Sequence, residues 1–187
     1  MTELPKRKNN RLQNYDYSQN GAYFITVCTK DRKCLFGNIV GAVANRPPHI
    51  ELSDIGKIAE EEIFTLQNIR ENVIVEKYVI MPNHIHMVLV VDSLGGRFFD
   101  GRFLGGRLTS APTAIALTTH AAAASAFAVS EIIRLWKRAI SRRVGFSLWQ
   151  KSFYDHVIRD EDDYLNTLEY IDNNPLKWEL DYLYQEK

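Results

Sequence analysis

The stretch Val73-Ile-Val-Glu-Lys-Tyr-Val-Ile-Met81, Pro82-Asn83, His84-Ile-His-Met-Val-Leu-Val-Val91 reads as two strands joined by a short turn. Its second strand is apolar on both faces, which places it centrally in a sheet. Upstream, Ser53 can cap a helix running to about Ile69, whose stripe Ile55, Ala59, Ile63, Leu66 and Ile69 has helical spacing. Before that helix, Gly37 to Leu52 carries Gly41 and Pro47-Pro48 and reads as a loose hairpin. Earlier still, Ala22 to Thr29 follows the turn Asn20-Gly21 and is a strand of aromatic and β-branched residues. Downstream, Ser130 is the expected N-cap of a helix to about Val144, with the stripe Val129, Ile132, Ile133, Trp136, Ile140 and Val144. Ser152 to Arg159 reads as a strand. Asp160 to Asn174 reads as a last helix with four acids in its first turn, ended by Pro175. The first six core elements follow the split βαβ order. The expected fold is α+β: a ferredoxin-like antiparallel sheet with helices on one face, plus a C-terminal helix over residues 160–175.

Length and composition set the frame. The 187 residues, 45% hydrophobic and 25% charged, fit one globular domain. Lys+Arg and Asp+Glu are both 23, so net charge points to no partner, and any nucleic-acid reading must rest on local charge. The two cysteines, Cys28 and Cys34, form no C-x-x-C, which excludes a disulfide framework or a zinc ribbon as the organising principle. No apolar run is long enough to span a bilayer, and the start, MTELPKRKNN, has no apolar stretch behind it; a cytoplasmic protein is expected. Charge is nonetheless segregated. Residues 1–33 hold seven basic side chains, beginning with the arm Lys6, Arg7, Lys8 and Arg11 within residues 1–20, against three acids. Residues 128–159 hold seven, including Arg134, Lys137, Arg138 and Arg142, against two, whereas residues 160–187 hold nine acids and two lysines. Taken singly, each run reads as a solvated face. Residues 93–127 contain five of the ten glycines, two Gly-Arg-Phe steps and an Ala/Thr-rich stretch, and read as a flexible low-complexity insertion.

Two groups of residues carry chemistry. His84-Ile85-His86 sets two imidazoles on one face of a strand, since alternate strand side chains share a face. Such a pair can bind a divalent metal when both rings are neutral. An ordinary pair of satisfied histidines is the competing reading. Asn174, His156, Asp155 and the acids of the last helix are candidates for a third ligand, while His49 and His120 fall in irregular segments. On the last helix, Tyr164 shares a packing stripe with Leu168 and Ile171. Tyr170 instead shares its face with Asn166, Thr167, Asn173 and Asn174, so it can project into a cleft with Asn174 beside it.

The string Met81-Pro-Asn-His-Ile-His86 resembles the corresponding segment of the HUH-type single-tyrosine transposases, within which the REP-associated tyrosine transposases are the nearest branch. Tyr15 to Thr29, Cys34-Leu-Phe-Gly37, Leu148 to Arg159 and Tyr170-Ile-Asp-Asn-Asn-Pro-Leu-Lys177 fit the same family in the same order. The resemblance implies a ferredoxin-like core whose central strand carries the His-x-His. It implies Mg²⁺ or Mn²⁺ held by His84 and His86 with Asn174, and Tyr170 as nucleophile. Residues 93–127 depart from the family, whose members are usually shorter and less repetitive there.

The implied activity is cleavage and rejoining of hairpin-bearing single-stranded DNA through a 5′-phosphotyrosine, with no nucleotide cofactor. Lys6, Arg7, Lys8, Arg11, Arg134, Lys137, Arg138 and Arg142 are the implied phosphate contacts. A homodimer is among the assemblies the resemblance brings with it; a membrane partner is not expected. Two other readings compete: an inactive or domesticated module that only binds hairpin DNA, and a metal-dependent phosphodiesterase that transfers to water and has no need of Tyr170.

Overall fold

The structure, a computed structural model, describes residues 15–41, 47–69, 72–91 and 128–184. Strand β1 (Gly21–Cys28) is followed by a 3-10 turn at Lys30–Arg32, the hairpin strands β2 (Gly37–Val40) and β3 (His49–Leu52), and helix α1 (Asp54–Ile69). Strands β4 (Val73–Ile80) and β5 (His84–Val91) come next. Helix α2 (Val129–Val144), strand β6 (Tyr154–Ile158), helix α3 (Glu161–Asn173) and a 3-10 segment at Pro175–Leu180 complete the chain.

The main sheet has the order β4-β5-β1-β6, antiparallel at every step, which is the ferredoxin-like order for a β-α-β-β-α-β chain. β2 and β3 pair separately, with Gly37 opposite Leu52. Strand alternation divides the side chains between two faces. Tyr23, Ile25 and Val27 of β1 and Ile85, Met87, Leu89 and Val91 of β5 pack under α1 and α2 as the main core. The opposite face buries Ala22, Val88 and Ile158 against Ile171, with Tyr164 and Leu168 beside them. The helices α1 and α2 therefore share one face, and α3 packs on the other. β1 carries Thr26 and Cys28, and β5 carries His84 and His86, on the α3 face.

Local signals explain most boundaries. The Ser53 hydroxyl accepts the Gly56 amide at 3.1 Å and donates to the Leu35 carbonyl at 2.6 Å, capping α1 as expected. α2 begins one residue before the expected Ser130 cap. Ala128 holds the cap position with no side-chain bond, because Val129 is already the first fully buried residue of the stripe. Asp160 caps α3 by accepting the Asp163 amide at 2.8 Å. Pro175 ends the α-helix but does not turn the chain away. Asn174 stays right-handed helical (φ −60°, ψ −44°) despite preceding a proline, and Pro175 opens a 3-10 segment whose first N–H would have lacked a partner anyway. That segment carries the tail, through Asp181 to Tyr184, back over the α3 face. The arm at Lys6–Arg11 and the segment 93–127 lie outside the described residues.

Gly56 illustrates how tightly α1 meets the hairpin. A Cβ there would strike the Phe36 carbonyl oxygen. In an exposed helix Gly→Ala gains about 1 kcal/mol. Gly56→Ala should instead destabilise the protein by roughly 1–3 kcal/mol through overpacking, read from urea unfolding midpoints.

Candidate active site

The two histidines sit in register positions that leave them dry. His84 pairs with Cys28 and His86 with Thr26 across the β1–β5 ladder, and both are at most 1% exposed. Each ring is oriented through its Nδ1. His86 Nδ1 lies 2.8 Å from the Thr26 hydroxyl, and its ring stacks on Phe24 at 5.1 Å. His84 Nδ1 lies 2.8 Å from Asn83 Oδ1. The Asn83 amide is fixed in turn, because its Nδ2 donates to the carbonyls of Arg32 (3.1 Å) and Leu183 (2.8 Å). Asn83 Oδ1 must therefore accept, and His84 Nδ1 donates. The neutral ring then keeps its lone pair on Nε2, which is buried and has no hydrogen-bond partner. Burial drives both pKa values down, His84 well below the ordinary range and His86 to about 3. Both imidazoles are thus neutral at physiological pH, the state that metal ligation needs.

Three other groups face this pair. The Tyr170 hydroxyl is 3.5 Å from His86 Nε2, and its ring meets those of His86 and Phe24 edge-on. The Asp181 carboxylate, its side chain 4% exposed, lies 4.0 Å from His84 Nε2 and accepts the Leu183 amide at 2.7 Å. Because His84 is neutral, this contact is not an ion pair. Asn174, one turn beyond Tyr170, donates from Nδ2 to Asp181 at 3.4 Å, while its Oδ1 is buried without a partner. Burial and the Asp181 charge raise the Tyr170 pKa, against a lowering hydrogen bond from Asn174. Ligand atoms of His84, His86 and Asp181 all fall within 4.8 Å of one another. Two imidazole nitrogens and a carboxylate, from His84, His86 and Asp181, could hold a divalent cation. All these residues come from one chain.

Asp181 was not singled out by the sequence reading, nor was Asn83. Asp181 is one of nine acids in the last segment and has no motif of its own; only the 3-10 turn after Pro175 delivers it. Asn83 stood in the quoted motif, but its role depends on two carbonyls distant in sequence. Of the other third-ligand candidates, His156 is paired with Asp163 at 2.9 Å, and Asp155 lies opposite Ile25, on the α1/α2 face. Asp172 is paired with Lys77. The basic residues on α2 sit across the sheet from the cleft. Lys137 is turned inward, its ammonium held by the carbonyls of Gln150 (2.7 Å) and Ser152 (3.1 Å), and burial lowers its pKa to about 8. Arg134 is paired with Glu131, whereas Arg138 and Arg142 are exposed.

The sheet order, with α1 and α2 on one face and α3 on the other, defines a ferredoxin-like α+β fold. The solved structure of a REP-associated tyrosine transposase bound to a REP hairpin is similar, with a TM-score of 0.54 and 18% sequence identity, covering 95% of this chain and 74% of that one. By sequence, the chain is 30% identical over 184 residues to an uncharacterized protein of Haemophilus influenzae, covering 95% of this chain and 93% of that protein. The chain belongs to the family of that protein. No family model matches it.

Two outcomes follow from the buried rings. In chelator, stability should fall as pH drops below about 6.5, because the unfolded chain takes up protons that the folded histidines refuse. The slope should approach about 1.4 kcal/mol per pH unit for each histidine and flatten in the His84→Ala/His86→Ala protein. Separately, Asn83→Ala should weaken Mn²⁺ binding by roughly 10- to 100-fold in calorimetric titration, because His84 loses the bond that fixes its tautomer.

Proposed function

We propose that the protein is a single-strand DNA transposase, an endonuclease and strand transferase that uses Tyr170 as nucleophile on hairpin-bearing DNA. The observation that carries this reading is the approach of the Tyr170 hydroxyl to within 3.5 Å of His86 Nε2, in a cleft that also holds the unpartnered His84 Nε2 and Asn174 Oδ1. A structural site of two histidines and an acid has no use for a phenol at its edge. The similar fold of a protein solved with a REP hairpin supports the choice of substrate.

The residues divide the work. His84, His86, Asp181 and Asn174 are the assigned ligands of one divalent cation, and two nitrogen donors suit Mn²⁺ at least as well as Mg²⁺. When bound, the cation supplies Lewis-acid stabilisation of the charge that develops on the scissile phosphate. The Asn174 amide lies against the Tyr170 oxygen and favours its phenolate, opposing the burial that keeps the phenol protonated. The phenolate oxygen bonds to phosphorus as the bond to the 3′-oxygen breaks. The phenolic proton passes, by way of the Asp181 carboxylate, to the departing 3′-oxygen. The products are a 5′-phosphotyrosine and a free 3′-hydroxyl. The phosphodiester bond energy is retained, so a 3′-hydroxyl can reverse the step without a nucleotide cofactor. Arg138 and Arg142, across the sheet, are assigned to the hairpin stem rather than to the scissile phosphate.

Incubation with Mn²⁺ and hairpin-bearing single-stranded oligonucleotides should give a covalent adduct on a denaturing gel. Tyr170→Phe and chelator should each abolish the adduct, and Tyr164→Phe should retain it, because Tyr164 belongs to the packing stripe against the sheet. An adduct that survives Tyr170→Phe contradicts the nucleophile assignment. Tight hairpin binding without any adduct from the unmutated protein makes it a binding module.

A further inference from the structure

The end of the sheet at which the histidines lie carries features that cation binding and phosphoryl transfer leave unused. Four cations gather there: Lys30, Arg32 and Lys33 just beyond β1, and Lys151 just before β6. The two loops are joined, since Lys30 N donates to the Leu148 carbonyl at 2.8 Å and Thr29 bridges to Trp149. Asp31 and Arg32 both hold positive φ, 58° and 54°, which costs energy for non-glycine residues and tends to mark functional positions. Arg32 is held there by Asn83, which binds its carbonyl, and its guanidinium donates to the Tyr182 carbonyl at 3.2 Å. Among the described residues it pairs with no carboxylate.

Two large rings stand at the same mouth. Tyr154 lies opposite Thr26, which itself lies opposite His86, so the three form one row across the α3 face of the sheet. Tyr182 adjoins Asp181 in the returning tail, and its carbonyl accepts from the Arg32 guanidinium. Tyr154 is 44% exposed and Tyr182 65% exposed, although both border a dry cleft.

Aromatic faces beside an unneutralised guanidinium match the chemistry of a single strand, with bases to stack and phosphates to pair. We infer that the Tyr154 and Tyr182 rings stack unpaired bases flanking the cleavage point, with Arg32 on the adjoining phosphate. This inference deepens the reading of the cleft as a site for single-stranded DNA and rests on it.

The test measures binding apart from cleavage. In a Tyr170→Phe background with Mn²⁺, fluorescence anisotropy gives the Kd for oligothymidylate and for an abasic strand of equal length. Tyr154→Ala and Tyr182→Ala should each weaken oligothymidylate binding on the order of 10-fold and leave abasic binding nearly unchanged. Tyr154→Phe and Tyr182→Phe should restore it, because stacking needs the ring and not the hydroxyl. Arg32→Gln should weaken both strands alike and reduce the salt dependence by about one phosphate contact. Equal effects of the alanine variants on both strands, or no effect on either, overturn the inference. The adduct assay on protein with Tyr170 intact scores the cleavage reading separately. An adduct with indifferent rings removes only the stacking subsite, and ring-dependent binding without an adduct removes only the chemistry.

Discussion

The antiparallel register of β1 against β5 is the constraint on which the cleft depends. Cys28 faces His84 and Thr26 faces His86, so both imidazoles emerge on the side covered by α3 while Ile85 enters the core beneath α1 and α2. Strand side chains alternate with a period of two, so a slip by one residue would exchange these roles. Two histidines would then be driven into an apolar core, and an isoleucine would face Tyr170. The apolar residues on the α1/α2 side of β5, from Ile85 to Val91, are what make that slip costly. The sheet core and the site are therefore specified by the same strand, through opposite faces of it.

Burial of polar atoms is costly at this site. An unpaired buried polar atom costs about 1–3 kcal/mol. His84 Nε2 and Asn174 Oδ1 both bear that cost, while the Nδ1 atoms of the two rings are satisfied by Asn83 and Thr26. Satisfied outer atoms and unsatisfied inner ones are the pattern of preformed metal ligands, in which outer partners fix the ring and leave the lone pair aimed inward. The tail joins this arrangement through Asn83, whose amide holds the Leu183 carbonyl and so seats Asp181 beside His84.

Much of this was legible in the chain because it rests on short-range periodicity. The His-x-His on one strand face and the separation of Tyr170 from the Tyr164, Leu168 and Ile171 stripe follow from counting residues. The face that looked polar around Tyr170 is partly buried, with Thr167 and Asn174 8% and 3% exposed. Asp181 was not legible, because proline was read as the end of ordered helix and the 3-10 continuation leaves no periodic signal. Nor does position on a basic helix reveal that two carbonyls from the following loop draw the Lys137 ammonium inward.

The central claim is that one cation binds between the histidine pair and the oxygen atoms of Asp181 and Asn174. Electron spin-echo spectroscopy of Mn²⁺ bound to the protein reads its nitrogen ligands directly. One Mn²⁺ per chain should show coupling to two imidazole nitrogens, reduced to one by His84→Ala or by His86→Ala. Tightly bound Mn²⁺ without imidazole coupling, or coupling unchanged by both substitutions, would place the cation elsewhere and contradict the account.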